Sequence, residues 1–309
     1  MLTLLTSVLS LIIGASQPDN ARPSETRIEA TPTMMVTKDV RFIERPGADD
    51  GLTSLDVYQP TNHIPEDAKP TLRPILIYIH GGGWAIGDKS RVYEKPDWAL
   101  RNDWVLVSVN YRLSPQVMHP EHARDVAAAI AYIHQHAEDF GGDPTKIVIM
   151  GHSAGAHLAG IVASEESLLG EHQLGPDDLS GVVLLDGAGY NIPNQMKSKL
   201  LLGKTRSMFE EAFGTDPDLW VSASPTLQAM VDEILPPLLA VHVPRFRSRV
   251  ESIELVKVWN KTSSRATRHQ APDKNHATLN HSMGKKNDPD TRVVEEFIRS
   301  VFEQDVVSD

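Results

Sequence analysis

The sequence predicts one α/β domain with a mostly parallel, doubly wound sheet, because solid apolar runs alternate with segments of helical periodicity. The apolar runs at residues 75–79 and 104–109 lack polar alternation, which is typical of strands covered on both faces. A third run, at residues 146–150, leads through Gly-His-Ser-Ala-Gly into small and apolar residues at helical spacing. With 309 residues, 40% of them hydrophobic, the chain is long enough to bury one sizeable core.

The N-terminal segment, residues 1–16, has an apolar stretch followed by small residues and then by polar ones. This order predicts a cleaved secretory signal peptide and a secreted or periplasmic protein, with a plain hydrophobic strand as the alternative. The apolar stretch is short for a membrane span, so we expect no stable membrane insertion after cleavage. Residues 17–36 carry prolines among Ser, Thr, Asn and Glu without periodicity, which predicts a flexible tether.

The remaining residues, 37–305, are expected to form the folded domain. Its first two strands alternate apolar and charged residues across a segment rich in Pro, Gly and Asp, which predicts a hairpin. The predicted strands lie at residues 40–42, 55–57, 75–79, 104–109, 146–150, 182–185 and 238–243. The predicted helices lie at residues 120–140, around 207–213 and at 294–301.

A longer insert at about residues 189–235 separates two of the predicted strands. In an open α/β sheet the ligand binds beyond the carboxyl ends of the strands, and an insert at that edge would cover the site. We therefore expect a small lid or cap that shapes substrate choice. An ordinary crossover helix without substrate contact is the alternative.

Residues 151–155 form the pattern Gly-x-Ser-x-Gly between a predicted strand and a predicted helix. In this context the pattern is a nucleophile elbow, where flanking glycines let the backbone take a strained turn. Such a turn lifts the hydroxyl of Ser153 clear of the sheet. The pattern predicts a serine hydrolase.

A run of three glycines, residues 81–83, follows the predicted strand at residues 75–79 and lies upstream of the elbow. Attack on an ester carbonyl creates an oxyanion, and prearranged amide donors lower that barrier by about 3 kcal/mol each. The expected donors are the backbone amides of Gly82, Gly83 and Ala154. A glycine run paired with a downstream elbow predicts an oxyanion hole far more strongly than a glycine run alone.

Composition disfavours several classes of partner and site. The formal net charge of −11 disfavours nucleic acid and anionic membranes, so a small neutral or cationic substrate is expected. The chain has no cysteine, which excludes disulfides and thiol catalysis. His119 and His122 lie at i and i+3 without a third ligand at a recognisable spacing, so we expect exposed histidines, and the sequence implies no metal or cofactor.

With these motifs the chain resembles α/β-hydrolases of the carboxylesterase type that carry His-Gly-Gly-Gly. Among them it resembles hormone-sensitive-lipase-like esterases and, in Gly-Gly-Trp-Ala-Ile-Gly-Asp-Lys at residues 82–89, the acetylxylan/feruloyl esterase-like group. The resemblance covers roughly residues 40–301 and includes Asn-Tyr-Arg-Leu-Ser-Pro at residues 110–115. It implies an α/β-hydrolase fold and agrees with the oxyanion donors named above.

Ser153 needs a base, because a serine hydroxyl is a poor nucleophile until an imidazole takes its proton. The chain order serine, acid, histidine puts the base on the C-terminal side, where the candidates are His242, His269, His276 and His281. The resemblance favours His276, ahead of the final helix, over His281 in the same loop. His242 and His269 are expected to be strand residues.

The acid departs from the family pattern. The relatives carry an aspartate shortly after the strand that matches residues 238–243, but here no carboxylate precedes Glu251, and Arg247 occupies the expected position. Pancreatic-type lipases place their acid after the preceding strand, which makes Asp186 the candidate acid, with a structural residue at a strand end as the equal alternative. Glu251 and Glu254 are alternatives that we expect to point away from the site, on the following helix.

These observations predict a carboxylic ester hydrolase that acts on small or short-acyl esters through an acyl-enzyme. In this scheme Ser153 attacks, His276 moves the proton and Asp186 orients the histidine. One alternative is an arylformamidase-like amide hydrolase, because kynurenine formamidase resembles the same pattern. Another is a non-catalytic binding protein derived from a hydrolase, suggested by the arginine-filled acid loop.

Overall fold

The computed structural model of the chain describes residues 27–30, 33–61, 71–199, 201–230 and 234–304. Its strands are Arg27–Ala30 (β1), Met34–Arg41 (β2), Ser54–Pro60 (β3), Arg73–Ile79 (β4), Val105–Val109 (β5), Gly142–His152 (β6), Gly181–Leu185 (β7), Leu238–His242 (β8) and Ala266–Gln270 (β9). Its helices are Lys95–Arg101 (α1), Glu121–Gln135 (α2), Ala154–Ser164 (α3), Glu166–Gly170 (α4), Ile192–Lys197 (α5), Gly203–Phe213 (α6), Pro217–Ser222 (α7), Pro225–Gln228 (α8), Phe246–Trp259 (α9), His276–Ser282 (α10) and Pro289–Gln304 (α11).

The nine strands of the described residues form one sheet in the order β1-β2-β3-β5-β4-β6-β7-β8-β9. The strands from β1 to β5 in this order pair antiparallel, and all pairs from β5 to β9 are parallel. Parallel neighbours need crossover connections, which the helices supply here. The carboxyl ends of β4, β6, β7 and β8 therefore lie side by side at one edge of the sheet.

Both faces of the central strands are buried, which explains their unbroken apolar runs. In β4, Ile75, Ile77 and Ile79 belong to a core shared with α2 and α3. The intervening Leu76 and Tyr78 belong to a second core, shared with α1 and α11. Successive side chains of a strand point to opposite faces, so helices cover both sides of the sheet, and the predicted doubly wound arrangement is confirmed.

The predicted opening hairpin is also confirmed, because β2 and β3 pair antiparallel with Val40 opposite Leu55. Each other predicted strand and helix overlaps an observed one. The helix predicted over residues 120–140 is shorter than expected. It ends at Gln135, and a 3-10 turn at Glu138–Phe140 precedes Gly141, which has a φ of 67°.

The predicted tether is wrong at residues 27–30 and 34–36, which lie in strands. Residues 27–30 form β1 and pair with β2, which itself begins at Met34. Backbone hydrogen bonds to a neighbouring strand order a polar segment, and composition alone does not register that pairing. The predicted signal peptide, residues 1–16, and the rest of the tether lie outside the described residues. Within the described ranges, no helix is both long and apolar enough to cross a membrane.

The two histidines near the start of α2 are buried, contrary to expectation. His119 is 5% exposed and His122 is 1% exposed. Nε2 of His122 lies 3.1 Å from Oγ of Ser114, and burial lowers the pKa of His122 to about 3. An i, i+3 spacing does not reveal which side of a helix faces the core. No group of three or more His, Cys, Asp or Glu side chains in the described residues is arranged to hold a metal ion.

Candidate active site

Ser153 occupies a sharp turn between β6 and α3, with φ 56° and ψ −119°. A non-glycine residue in such a conformation costs about 1 to 3 kcal/mol and persists only where its surroundings fix it. The residues on either side of the turn, Gly151 and Gly155, must be glycines because a Cβ at either position would clash with backbone. A Cβ on Gly151 would lie 2.1 Å from the carbonyl oxygen of Gly155, and a Cβ on Gly155 would lie 2.2 Å from that of Ile79. The turn therefore has the geometry of a nucleophile elbow.

The structure brings Ser153, His276 and Asp186 into one hydrogen-bonded row. Nε2 of His276 lies 3.0 Å from Oγ of Ser153, and Nδ1 of His276 lies 2.6 Å from Oδ2 of Asp186. Since a carboxylate only accepts, Nδ1 carries the proton and Nε2 is free to accept the serine hydroxyl. The three residues come from the ends of β6 and β7 and from the start of α10.

His276 is held in place from its backbone. It is the first residue of α10, whose N-cap Asn275 accepts hydrogen bonds from the amides of Ala277 and Thr278. Nε2 of His152 donates to the carbonyl oxygen of His276 at 2.9 Å. Burial lowers the pKa of His152 to about 3, so this neighbour of the nucleophile is a neutral donor near neutral pH.

Asp186 directly follows β7 and is fully buried, with a left-handed φ of 44°. Its Oδ1 accepts from the amide of Val243 at 3.2 Å and from the hydroxyl of Ser248, and its Oδ2 accepts from Nη2 of Arg245 at 2.6 Å. Burial raises the pKa of Asp186, but the hydrogen bonds from His276 and Ser248 and the charge of Arg245 outweigh it. They hold that pKa at about 2, so the carboxylate is ionised at neutral pH.

The arginine that contacts Asp186 is Arg245, which the sequence analysis did not single out. Nη2 of Arg245 lies 3.2 Å from Nδ1 of His276 as well as 2.6 Å from Asp186. Arg247 follows two residues later, in the first turn of α9. Its side chain turns toward the insert, where Nη2 donates to Oγ of Ser198 at 3.0 Å. The loop after β8 thus supplies partners to an acid that stands on the neighbouring strand, and no sequence pattern indicated the contacts of Arg245 and Ser248.

The other candidate histidines have hydrogen-bond or ring partners other than Ser153. His242 is buried in β8, and its Nδ1 donates to the carbonyl oxygen of Val243 at 3.0 Å. His269 lies on β9, with Nε2 2.7 Å from Oδ1 of Asp290. His281 lies on α10, with its ring centroid 4.3 Å from that of Tyr93. His276 is therefore the candidate within hydrogen-bond reach of the serine.

The alternative acids lie on α9 and contact the start of the insert. Glu251 is buried, and the amides of Gly189 and Tyr190 donate to its Oε2 at 2.9 and 3.3 Å. Burial raises the pKa of Glu251 to about 7, although these amides oppose the shift. Glu254 accepts from Nδ2 of Asn191 at 2.9 Å. Both glutamates point away from His276, as expected, and they fasten the loop that follows Asp186 onto α9.

The glycine run, residues 81–83, forms a tight turn next to Ser153. The amides of Ala85 and Ile86 donate to the carbonyl oxygen of Gly82, at 3.2 and 3.1 Å. A Cβ on Gly82 would lie 1.7 Å from the carbonyl oxygen of Ile86, and a Cβ on Gly81 would lie 3.0 Å from Cβ of Ser153. A side chain at Gly81 would also meet the carbonyl oxygen of His152 at 2.7 Å, so glycine lets this loop come close to the serine.

The amides of Gly82, Gly83 and Ala154 lie around this position. Among the described residues, none of the three amides donates a hydrogen bond to a protein acceptor. Gly82 and Gly83 have φ of 132° and 61°, conformations that L side chains rarely adopt. Ala154 is the first residue of α3, where amides have no partner within the helix. The three residues border the same cavities as Ser153.

Two cavities meet at Ser153 and His276. We call the first the arginine cavity; it measures about 550 Å³ and is bounded by Trp84, Leu201, Met208 and Phe209 and by Arg245 and Arg247. We call the second the tyrosine cavity; it measures about 300 Å³ and is bounded by Tyr78, Tyr93, Arg91, Asn280 and His281. A further cavity of about 560 Å³ lies against α2, away from Ser153.

The insert forms part of the wall of the arginine cavity. Phe209 of α6 packs edge-on against Trp84, with ring centroids 5.2 Å apart. Its neighbour Met208 covers Gly83 so closely that a Cβ there would approach its sulfur to 2.4 Å. The insert therefore contacts the site, in the position expected of a lid or cap.

Comparison with known proteins gives a consistent set of relatives. The family model described as BD-FAE matches residues 55–245. Esterase LipQ of Mycobacterium tuberculosis is 30% identical over 227 residues, which are 69% of this chain and 52% of LipQ. Esterase LipC of the same organism is 28% identical over 79% of this chain and 63% of its own length. The chain thus spans less than two thirds of either relative.

Solved structures show the same architecture. Esterase B from Lactobacillus rhamnosis, solved with a C6-C4 SN3 inhibitor, has a TM-score of 0.71 at 18% identity, covering 90% of each chain. A truncated carbohydrate esterase from gut microbiota has a TM-score of 0.67 at 20% identity, covering 91% of this chain and 99% of its own. At these identities the likeness concerns the fold. It confirms the α/β-hydrolase fold that the motifs implied.

Proposed function

We propose that this chain, which belongs to the BD-FAE family, hydrolyses carboxylic esters through a serine acyl-enzyme. The observation that carries the proposal is the row in which His276 lies 3.0 Å from Ser153 and 2.6 Å from Asp186. The similar proteins LipQ and LipC are both named esterases, which supports ester hydrolysis. Cavities of about 550 and 300 Å³ on either side of the serine favour small or short-acyl esters.

The proposed reaction has two halves. In the first, Oγ of Ser153 attacks the ester carbonyl while Nε2 of His276 takes its proton, and a tetrahedral oxyanion forms. The C–O bond to the alcohol then breaks, and His276 returns the proton to the departing oxygen. In the second half water attacks the acyl-enzyme with the same histidine as base, which releases the acid and restores the serine.

In this reaction the acid and the backbone amides stabilise the charges that develop on the histidine and on the substrate oxygen. The buried carboxylate of Asp186 keeps His276 in the tautomer that accepts from Ser153 and stabilises the imidazolium that forms. The amides of Gly82, Gly83 and Ala154 meet the oxyanion, at about 3 kcal/mol for each donor.

The two alternative functions, a non-catalytic binding protein and an arylformamidase-like hydrolase, are less well supported. The non-catalytic binding protein was suggested by an arginine in place of the acid, but a carboxylate reaches His276 from the end of β7. An arylformamidase-like activity draws no support from the esterases named above. Comparing hydrolysis of p-nitrophenyl acetate with that of N-formylkynurenine tests the choice, and preferential turnover of the formamide would contradict the ester assignment.

The decisive experiment is labelling with a fluorophosphonate probe, which captures an activated serine covalently. We expect the wild-type chain to be labelled and Ser153→Ala to remain unlabelled. Ser164→Ala, at the far end of the same helix, is the matched control and should label like the wild type, because its hydroxyl donates to the carbonyl oxygen of Gly160. Equal labelling of Ser153→Ala would exclude Ser153 as the nucleophile.

We also propose export to the periplasm or the medium, supported by the apolar stretch and small residues within residues 1–16. Mass spectrometry of the protein recovered from each cell fraction tests it. A mature chain lacking that segment in the exported fraction is expected, and an unprocessed chain found only with cytoplasmic proteins would contradict export.

A further inference from the structure

The wall of the arginine cavity is positive, although the chain carries a net charge of −11. Arg245 and Arg247 line it, and among the described residues no aspartate or glutamate does. Much of the remaining wall is apolar, including Trp84 and Leu201, which are nearly fully buried. An apolar wall excludes water that would otherwise screen a charge, so an anion in this cavity is attracted more strongly than one on the open surface.

Arg247 has a fixed position and no carboxylate in direct contact with it among the described residues. Its Nη1 donates to Oε1 of Gln195 and its Nη2 donates to Oγ of Ser198, both neutral acceptors. No carboxylate forms an ion pair with it in the part of the chain that the structure describes. The nearby Glu251 accepts from the amides of Gly189 and Tyr190 and from Gln195, so its charge acts on Arg247 only across Gln195.

Arg245 differs from Arg247 in this respect. Its Nη2 forms an ion pair with Oδ2 of Asp186 at 2.6 Å, so the buried carboxylate already neutralises its charge. Arg247 is therefore the cation of the cavity wall that remains available to a ligand. Ser153 and Arg247 bound the same cavity of about 550 Å³, which has room for a short chain between them.

We propose that Arg247 binds a carboxylate of the substrate, so that the preferred substrate is an ester with a free carboxylate at its far end, such as the half-ester of a dicarboxylic acid. The inference rests on the proposed ester hydrolysis. Guanidinium groups suit carboxylates because their planar N–H donors form charge-assisted, paired hydrogen bonds. This substrate differs from the neutral or cationic one that net charge favoured, because the ligand meets the cavity wall and not the average surface.

The test compares substrates that differ only in the terminal charge. Methyl hydrogen adipate is paired with methyl hexanoate, which puts the carboxylate on the acyl side. The acetate ester of ω-hydroxyhexanoate is paired with hexyl acetate, which puts it on the alcohol side. For each pair the ratio of kcat/KM, charged over neutral, is measured by acid release at constant pH. The neutral esters also report on ester hydrolysis itself.

We expect the wild type to prefer the charged member of at least one pair. In Arg247→Gln the charged-over-neutral ratio should fall by about tenfold or more, as expected for a lost charge-assisted hydrogen bond, while the neutral ester is still hydrolysed. Arg247→Lys keeps the charge without the planar donors and should give an intermediate ratio. Arg249→Gln removes an equal charge from the exposed side of the same helix and should leave the ratio unchanged.

Arg91→Gln separates the two cavities, because Arg91 bounds the tyrosine cavity. The proposal would be overturned if Arg247→Gln left the charged-over-neutral ratio of kcat/KM unchanged, whether or not Arg91→Gln lowered it. It would also be overturned if Arg249→Gln lowered that ratio as much as Arg247→Gln does. If Arg247→Gln fails to fold, the Arg247→Lys ratio decides between the same outcomes. Failure of the wild type to hydrolyse any of the four esters would instead refute the proposed function.

Discussion

At the scale of single residues, the carboxylate of Asp186 is held by more than its histidine. The amide of Val243, the hydroxyl of Ser248 and the guanidinium of Arg245 all donate to it alongside His276. These donors fix the orientation of the carboxylate and keep it ionised, which explains how an acid at the end of β7 can serve a histidine on α10. A buried acid with such support acts through the histidine and not on the substrate.

Replacing this acid tests that role. We expect Asp186→Asn to lower kcat for p-nitrophenyl acetate by about 10⁴, because an amide favours the wrong tautomer of His276 and leaves the imidazolium without its counter-charge. Asp290→Asn is the matched control, since Asp290 is also buried and pairs with a histidine, His269, at 2.7 Å. The control should keep its kcat. A kcat for Asp186→Asn within tenfold of the wild type would mean that another group orients His276.

At the scale of elements, the contact between β4 and α3 depends on glycine. We expect Gly155→Ala to destabilise the fold by about 3 kcal/mol or more, because its Cβ would meet the carbonyl oxygen of Ile79 at 2.2 Å and backbone must move. It should also abolish labelling of Ser153. Gly170→Ala, at the end of α4, meets nothing within 4 Å and should be neutral or slightly stabilising. Denaturant unfolding measures both, and equal stabilities would contradict the packing argument.

A second element-scale prediction concerns the insert, which Glu251 of α9 fastens through the amides of Gly189 and Tyr190. The pKa of Glu251 is about 7 in the fold, above the roughly 4.3 of an unfolded chain. The folded protein therefore retains a proton that the unfolded chain releases, and stability falls as pH rises from about 4.5 to 7. Glu251→Gln should remove this loss.

We expect the free energy of unfolding of Glu251→Gln, relative to that of the wild type, to increase by on the order of 2 kcal/mol between about pH 4.5 and pH 8, so that the variant becomes relatively more stable. Denaturant titrations at the two pH values measure it. Glu254→Gln, three residues further along α9, is the control and should show no comparable change relative to wild type. A pH-independent difference for Glu251→Gln would show that burial does not perturb this carboxyl group.

At the scale of the whole molecule, local patterns in the sequence predicted the parts of the fold that depend on local structure. The apolar runs predicted β4, β5 and β6, and the elbow and the glycine run are each specified within a few residues. The elbow predicted Ser153 as the nucleophile, and the expected chain order of serine, acid and histidine limited the candidate bases to four histidines. The geometry then brings together residues that lie 123 and 90 positions apart, Ser153 with His276 and Asp186 with His276.

The features that sequence did not predict depend on contacts between distant segments. Which of two arginines in one loop contacts Asp186 depends on how α9 is turned against β7, and spacing after a strand does not specify that rotation. The burial of His122 depends on the neighbours of α2. The ordering of β1 depends on a partner strand whose pairing outweighs a composition typical of flexible chain. In each case tertiary packing supplies information that the local pattern lacks.

The position of the acid on β7 has a consequence for how this chain could change its substrate. Because the carboxylate follows β7, the segment after β8 does not have to contribute an acid to the reaction. The side chains of this segment that hold Asp186 are those of Arg245 and Ser248. Phe246 and Arg247, between them, face the cavity. Under the proposed ester hydrolysis, selectivity and chemistry lie on separable positions, and variation at these two residues offers a route to new ester specificities with the reacting groups intact.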